Sequence, residues 1–155
     1  MNLIIEQITN LSELTIAMNL VENVFMEFEA PEYSQEGIQT FLDYISISNI
    51  KEKIEQKELS VWCAKLEKEI VGVIAMRPPN AISLLFVDKE HHKKGIAKTL
   101  FHYILNHYPI NGTTITVNSS PYAVEIYRRL GFIELDSEQI KDGIRFYPMI
   151  YLNNK

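Results

Sequence analysis

The chain has 155 residues, of which 46% are hydrophobic and 23% are charged, and its formal net charge is −5. This length and balance are typical of one globular domain with a sizeable core, so we expect residues 1–155 to form a single domain. The acidic balance disfavours nucleic-acid binding, because that affinity comes mainly from clustered Lys and Arg. No apolar run reaches the roughly 18 residues of a membrane helix, so no membrane contact is expected.

The first residues and the single cysteine indicate the compartment. Residues 1–6 contain no basic segment, and Glu6 interrupts the apolar stretch too early for a secretory signal. A single cysteine, Cys63, excludes an internal disulfide and fits a reducing environment. We therefore expect a cytoplasmic protein in which Cys63 is a buried, inert thiol on an apolar strand.

The first third of the chain predicts one strand and several helices. Residues 3–8 are β-rich, and apolar residues three and four apart from Leu14 to Phe28 predict an amphipathic helix. Residues 30–33 break that helix. Ser34 is placed to cap a second helix. Asn49, followed by Glu52, resembles a capping box for a third helix over 50–56.

From residue 59 the hydrophobic period changes to that of strands. Residues 60–66 and 70–76 predict a hairpin, and the apolar run 82–87 predicts a buried strand. An amphipathic helix follows Gly95 and ends before Pro109.

The remaining elements complete a mixed α/β sheet covered by helices. Residues 113–118 predict a strand, and a helix follows that begins near Pro121 and ends at Gly131. Final strands over 132–135 and 144–152 flank an Asp142-Gly143 turn. Within the last strand, Pro148 indicates either a bulge or an unpaired position.

The segment after the 82–87 strand has features of a phosphate site. A charged turn, 88–94, leads into Gly95-Ile96-Ala97 at the beginning of a helix. The first amide N–H groups of a helix lack intrahelical acceptors, and the helix dipole adds partial positive charge there. The small residues leave that backbone accessible, and three lysines add positive charge: Lys93, Lys94 and Lys98. The alternative is a tight strand-to-helix connection with solvated lysines.

Two nucleotide motifs do not match this segment. The Walker pattern needs a Gly five residues before Gly-Lys-Ser/Thr, whereas Glu90 holds that place and two residues separate Gly95 from Lys98. The dinucleotide fingerprint needs three glycines, and only Gly95 is present. A nucleotide-binding regulator is therefore disfavoured.

Two short motifs together resemble the GNAT family of acyl-CoA N-acyltransferases. The first, His92-x-x-Gly95-x-Ala97, is similar to the family's Gln/Arg-x-x-Gly-x-Gly/Ala, with His in the first place. The second lies within 115–132 and consists of Ala123, Tyr127, Gly131 and Phe132. Each motif falls in the element where the family has it. The resemblance covers residues 60–152, and residues 1–58 match only as a strand plus two or three helices.

The resemblance implies the GNAT fold, a mixed and mostly antiparallel sheet with splayed strands flanked by helices, and an acyl-CoA donor, usually acetyl-CoA. The donor's pyrophosphate would lie on the amides from Lys93 to Lys98, and its pantetheine arm would extend the edge of the 82–87 strand. A β-bulge commonly causes such a splay. Asn118 is a further candidate for the arm, or else an ordinary strand-end residue. The implied cofactor-binding residues are Leu85, Phe86, Val87, Lys93, Lys94, Gly95, Ile96, Ala97, Lys98, Asn118 and Tyr127.

The resemblance also implies that Tyr127 is the general acid. A departing thiolate needs a proton, and a neutral phenol with a pKa of about 10 holds one at neutral pH. The alternative role of Tyr127 is a core aromatic on the helix face from Ala123 to Leu130.

The sequence shows no evident general base and no metal site. We interpret the nearest carboxylates as solvated surface groups, with a water chain as a substitute for a base; they are Asp88, Glu90, Glu27, Glu29 and Glu32. His91 and His92 are adjacent and project differently. His102 and His107 are five residues apart, which is off the same-face spacing of a helix. We therefore expect no metal cofactor.

These observations predict an enzyme that transfers acetyl from acetyl-CoA directly to a primary amine of a small molecule or a protein. An acidic set favours a cationic acceptor: Glu27, Glu29, Glu32 and Glu36. The alternative function is a non-catalytic acyl-CoA-binding module that regulates a partner, and the presence of Tyr127 favours the enzyme. The acceptor, the acyl length and the formation of a homodimer stay open.

Overall fold

A computed structural model describes residues 2–110, 112 and 114–153. The described strands are β1 (Leu3–Gln7), β2 (Ser60–Leu66), β3 (Glu69–Arg77), β4 (Ala81–Val87), β5 (Thr114–Ser119), β6 (Ile133–Glu134), β7 (Gln139–Lys141) and β8 (Ile144–Leu152). The described helices are α1 (Leu11–Phe28), α2 (Gln35–Tyr44), α3 (Ile47–Glu55), α4 (Ile96–His107) and α5 (Val124–Leu130), with short 3₁₀ turns at Ala30–Glu32 and Lys89–His91. Residue 113, the expected first residue of β5, lies outside the described residues.

The strands form one mixed sheet, as predicted. Their order is β1-β2-β3-β4-β5-β8-β6, and β7 pairs with β8 beyond this path. Within the described sheet, β4 and β5 are parallel and the other neighbouring pairs are antiparallel. Helices bury both faces, which explains the near-continuous apolar runs of the central strands.

Each face of the sheet has its own core. On one face, α1 to α3 pack their apolar residues, among them Phe25 and Ile50, against Val73 and Phe86 of the sheet. On the other face, α4 contributes residues such as Leu100 to a second core with Ile74, Ile115 and Tyr127. Cys63 is fully buried in β2, and burial raises the pKa of its thiol to about 11, which agrees with the expected inert thiol.

The third helix differs from its prediction. Ser34 caps α2 as expected, because its Oγ accepts a hydrogen bond from the Gly37 amide at 3.1 Å. Asn49 does not cap a helix: α3 begins at Ile47, and the Asn49 side chain instead donates to the Tyr44 carbonyl at 2.7 Å. The predicted capping box is wrong because this amide binds the free carbonyl end of α2.

Two turns near the C-terminus also correct the prediction. Helix α5 begins at Val124, and Pro121 lies in the turn before it. The Asp142-Gly143 turn joins β7 to β8, with φ values of 53° and 79°, the left-handed pair that suits a tight hairpin. Strand β7 was not predicted, because its three residues are exposed and too few to show a period.

The last strand has no bulge at Pro148. The register between β5 and β8 continues through the Asn118–Pro148 pair without a shift. The Pro148 carbonyl accepts from the Leu135 amide at 2.8 Å, so its nitrogen also faces the side where β6 ends. Of the two expected alternatives, the structure therefore excludes the bulge and fits the unpaired position.

Strands β4 and β5 diverge soon after they meet. They pair at Ala81–Thr116 and Ile82–Val117 and not beyond. The β3–β4 register shifts between Ala75 and Met76, which leaves Ser83 as an extra residue of β4. A bulge bends its strand. The structure therefore confirms the splayed strands expected from the resemblance.

Helix α2 packs directly on the β7–β8 turn through two glycines. A Cβ at Gly37 would lie 2.1 Å from the Gly143 carbonyl oxygen, so backbone contacts backbone. The Thr40 hydroxyl donates to the Asp142 carbonyl at 2.8 Å, and the Tyr33 hydroxyl donates to the Arg145 carbonyl at 3.2 Å. These contacts hold α2 and the residues before it against the start of β8.

We predict that Gly37→Ala destabilises the protein. Helix propensity alone favours Ala over Gly by about 1 kcal/mol, yet the added methyl has no space, and overpacking typically costs about 1–3 kcal/mol. Chemical denaturation should show a net loss of stability. The control, Gln39→Ala on the exposed face of α2, should stay within about 0.5 kcal/mol of the parent. A gain of stability for Gly37→Ala would mean that the helix and the turn do not touch in solution.

Candidate active site

Two cavities meet at the opening between β4 and β5. The first, which we call the β4–α4 cavity, has a volume of about 360 Å³ and lies between the end of β4, the start of α4 and one side of α5. The second, the β4–β5 cavity, has a volume of about 430 Å³ and lies among β4, β5, α2 and β8. Four residues line both cavities: Glu29, Leu85, Phe86 and Ala123.

Most of the predicted cofactor residues line the β4–α4 cavity. They are Leu85, Phe86, Val87, Lys93, Gly95, Ile96, Ala97 and Lys98. Lys94 is exposed and does not line it, and Asn118 and Tyr127 line the β4–β5 cavity instead. Sequence reasoning missed Arg129, which lines the β4–α4 cavity two positions after Tyr127 on α5.

The start of α4 exposes its backbone to the β4–α4 cavity. Gly95 is the N-cap and has a φ of 79°, in the left-handed region that favours glycine. A Cβ at this position would meet no atom within 4 Å, so the space beside it is open. Lys93 also has a positive φ, 62°, which tightens the turn before the helix. The first amides of α4 therefore face an open cavity beside lysine side chains.

The open edge of β4 presents alternate backbone groups. The Asp88 amide donates to the Val71 carbonyl at 2.8 Å, across the β3 side. Because antiparallel ladders alternate, Phe86 also directs its backbone groups toward β3, while Leu85 and Val87 direct theirs toward the opening. The Nε2 of His92 lies 2.8 Å from the Val87 carbonyl and occupies it. The Leu85 groups and the Val87 amide thus face the opening.

Tyr127 lies on α5 beside the β4–β5 cavity. Its side chain is only 5% exposed, and its ring packs edge-on against Phe132 with centroids 5.3 Å apart. Burial raises the pKa of its phenol above the ordinary value, and the charge of Glu29 raises it further. Tyr127 therefore stays a protonated phenol at neutral pH.

Glu29 is buried where the two cavities meet. It is the C-cap of α1 and is 7% exposed, so its interpretation as a solvated carboxylate is wrong. Its pKa is raised to about 7, mainly by burial. A hydrogen bond with Ser120 offsets part of this rise, and the charge of Glu32 adds to it. Its place directly after the apolar face of α1 was the one sequence signal. Glu27, by contrast, is half exposed and forms an ion pair with Lys89 at 3.3 Å.

The rest of the β4–β5 cavity combines aromatic and hydroxyl groups with a charged rim. Tyr44 and Ser83 are hydrogen-bonded to each other on its wall. Aromatic rings line it further: Tyr33, Phe41, Phe86 and Phe146. Exposed side chains at its rim are Arg77, Lys141 and Asp142. Glu32 and Glu36 are exposed and line neither cavity, so Glu29 is the one member of the expected acidic set in the site.

The described residues contain neither a cluster of metal ligands nor a membrane-spanning helix. In that part of the chain, no three His, Cys, Asp or Glu side chains are grouped closely enough to hold a metal ion. His91 instead contacts Asp88, with Nδ1 and Oδ2 3.0 Å apart. No helix in the same part of the chain is long and apolar enough to cross a membrane.

A helix start with open amides can bind a diphosphate, and a strand edge beside a splayed partner can pair with an extended ligand arm. The comparison with protein-family models gives the family: the model described as "Acetyltransferase (GNAT) domain" matches residues 29–152. The chain belongs to the GNAT family and is an acetyl-CoA-dependent N-acetyltransferase.

Individual relatives agree with this assignment. The chain is 27% identical over 123 residues to the "Uncharacterized N-acetyltransferase YafP" of Escherichia coli K12. The aligned segment covers 79% of this chain and 77% of that protein. The PaiA N-acetyltransferase of Thermoplasma acidophilum, solved in complex with coenzyme A, has a TM-score of 0.78 at 16% identity, with coverage of 98% and 99%. A GCN5-related N-acetyltransferase of Rhodopseudomonas palustris has a TM-score of 0.79 at 13% identity, with coverage of 96% and 94%.

We predict that Gly95→Glu abolishes coenzyme A binding in a folded protein. The carboxylate would enter the open space at the start of α4 and repel a diphosphate there. Calorimetry with coenzyme A measures the loss. The control is Gly112→Glu, since Gly112 also has a positive φ, 104°, and open surroundings but lines neither cavity. Both variants incur a similar backbone strain, so equal affinities would remove the phosphate assignment.

Proposed function

We propose that the chain transfers the acetyl group of acetyl-CoA directly to a primary amine in the β4–β5 cavity, with Tyr127 as the general acid. The observation that supports this most is the meeting of two cavities at the β4–β5 opening. One leads to the start of α4 and the other contains Tyr127. A thioester at the junction would be within reach of a donor site on one side and an acceptor on the other.

The donor would use the β4–α4 cavity. Its pyrophosphate would lie on the amides from Lys93 to Lys98, where Lys98 and Arg129 add positive charge. Its pantetheine arm would hydrogen-bond the open backbone groups of Leu85 and Val87 in the manner of an added strand. Asn118 would contact the arm from the β4–β5 side. The complex of PaiA with coenzyme A supports this class of ligand for the fold.

The chemistry assigned to Tyr127 follows from its protonation state. The amine nitrogen attacks the thioester carbonyl, and the C–S bond then breaks. The leaving thiolate takes the phenolic proton, which the raised pKa keeps on the oxygen until that step.

The acceptor would be a small amine or an exposed side chain that fits a cavity of about 430 Å³ with aromatic walls. The expected preference for a cationic acceptor now rests on Glu29 alone. The expected cytoplasmic location rests on the single, buried Cys63. No observation favours the alternative of a regulatory acyl-CoA-binding module, and the following two experiments separate it from the enzyme.

We predict that coenzyme A and acetyl-CoA bind in the micromolar range and raise the melting temperature, because a ligand of the native state stabilises it by mass action. ATP and NAD should raise it much less, since the chain lacks both glycine motifs of nucleotide sites. A thermal-shift series at matched ligand concentrations makes the comparison. Equal shifts with ATP, or none with coenzyme A, would contradict the donor site.

We predict that Tyr127→Phe lowers turnover by about 10²- to 10⁴-fold, the usual contribution of a positioned acid or base. Phe keeps the ring and its packing on Phe132, so folding and acetyl-CoA affinity should change little. The assay is thiol release with a panel of primary amines at saturating acetyl-CoA, and mass spectrometry identifies the acetylated product.

The matched control is Tyr103→Phe, because Tyr103 stacks on His107 of α4 and lines neither cavity. Its turnover should equal that of the parent. Near-normal turnover of Tyr127→Phe would return Tyr127 to a core aromatic. A parent protein that binds coenzyme A and acetylates no amine would favour the regulatory module.

A further inference from the structure

We propose that Glu29 is a second catalytic residue, which holds the ammonium group of the acceptor and removes its proton before attack. The inference rests on the proposed function, since it needs an amine in the β4–β5 cavity. It assigns the general base that sequence reasoning did not find. It also assigns the contact that makes the site select amines.

Glu29 lies where a general base would have to lie, beside both the donor and the acceptor. Among the described residues, it is the carboxylate that lines both cavities, so its side chain lies where donor and acceptor would meet. Asp142 is the other carboxylate of the β4–β5 cavity, and it lies exposed at the rim. Asp88 and Glu90, the sequence candidates near β4, line neither cavity.

The burial of Glu29 is not offset by a positive partner. No ion pair recorded among the described residues includes it. A buried carboxylate without a cation is costly, and an entering ammonium group would supply that cation. The site therefore favours a charged amine in its resting state and holds the ammonium proton within reach of the carboxylate that would accept it.

The groups that interact most directly with Glu29 are acidic or neutral. Glu32 and Tyr33 approach from the 3₁₀ turn that follows α1, and Tyr122 and Tyr127 approach from the α5 side. The other charged or titratable side chains that share a cavity with it lie on other elements: His91, His92, Lys93, Lys98 and Arg129 in the β4–α4 cavity, and Tyr44, Arg77, Lys141 and Asp142 in the β4–β5 cavity. A pKa of about 7 suits a group that takes a proton and releases it at neutral pH.

The proton balance of the reaction closes with these two residues. The Glu29 carboxylate takes one proton from the ammonium group and leaves a neutral amine. The amine nitrogen attacks the thioester carbonyl, the C–S bond breaks, and the sulfur takes the Tyr127 proton. The resulting tyrosinate takes the second proton of the former ammonium from the amide nitrogen. Glu29 finally releases its proton to solvent, which gives the net release of one proton per acetyl transferred.

The test compares Glu29→Gln with Glu27→Gln on the best amine of the panel. Glu29→Gln should lose about 10²- to 10⁴-fold in kcat at pH 7 and keep its affinity for coenzyme A, since it removes a base and not the donor site. The loss should shrink as the pH approaches the pKa of the amine itself, where no base is needed. Glu27→Gln, on the exposed side of α1, should match the parent at each pH.

The pH dependence of the reaction is a second measurement, and a purely structural role of Glu29 would not affect it. In the parent, kcat/KM, which reports ionisations of the free enzyme, should fall on the acid side with a midpoint near pH 7, and Glu29→Gln should lack this limb. Glu32→Gln removes a like charge that raises the pKa of Glu29, so it should shift the limb to lower pH with an unchanged plateau.

These experiments distinguish a failure of the role of Glu29 from a failure of the proposed function. A Glu29→Gln protein with parental turnover and an unchanged pH limb would overturn the role of Glu29 and leave the proposed function intact. A parent that binds coenzyme A and acetylates no amine would overturn both. If Glu29→Gln does not fold, NMR titration of ¹³C-labelled glutamate in the parent replaces it. A Glu29 carboxyl that titrates near its ordinary 4.5 would then overturn the proposal.

Discussion

The site depends on one backbone constraint, the separation of β4 from β5. A sheet satisfies the N–H and C=O groups of its inner strands through their neighbours, and a buried group without a partner is costly. The bulge at Ser83 ends this pairing after Ile82, so the later groups of β4 need other partners. The His92 ring supplies one of them, to Val87. The others face a space that a ligand with its own amides can fill.

The elements that end at this opening supply its chemical groups. Helix α1 ends there with Glu29, and α5 begins there with Ala123 ahead of Tyr127. On the far side, the contact between Gly37 and Gly143 holds α2 over the cavity. Glu29 and Ala123 lie at the ends of packed helices, so the packing of those helices fixes their backbone positions.

The predictable parts of the fold were those with local signals. The motif around Gly95 and the motif from Ala123 to Phe132 predicted α4, α5 and the family, because a helix start and a helix face follow from a few nearby residues. For the burial of Glu29 the local sequence offers one signal, its place after the apolar face of α1, because the burial arises when α1 meets strands that lie more than 50 residues later in the chain. Lys94 lies outside the cavity because of the conformation of the turn before α4. Strand β7 forms through its pairing with β8, which its own three residues do not indicate.

The burial of Glu29 links the site to the folding equilibrium. Its pKa is about 7 in the folded chain and 4.5 ordinarily, so the folded state binds more protons between these values. The free energy of unfolding therefore falls as the pH rises through this window, and the Glu29 contribution stays at its lowest above it. A neutral residue at this position avoids that loss, as expected for a group whose charge serves activity and not folding. A library selected only for heat resistance above neutral pH would therefore accumulate neutral residues at position 29, and a second selection for acetyl transfer would be needed to retain the glutamate.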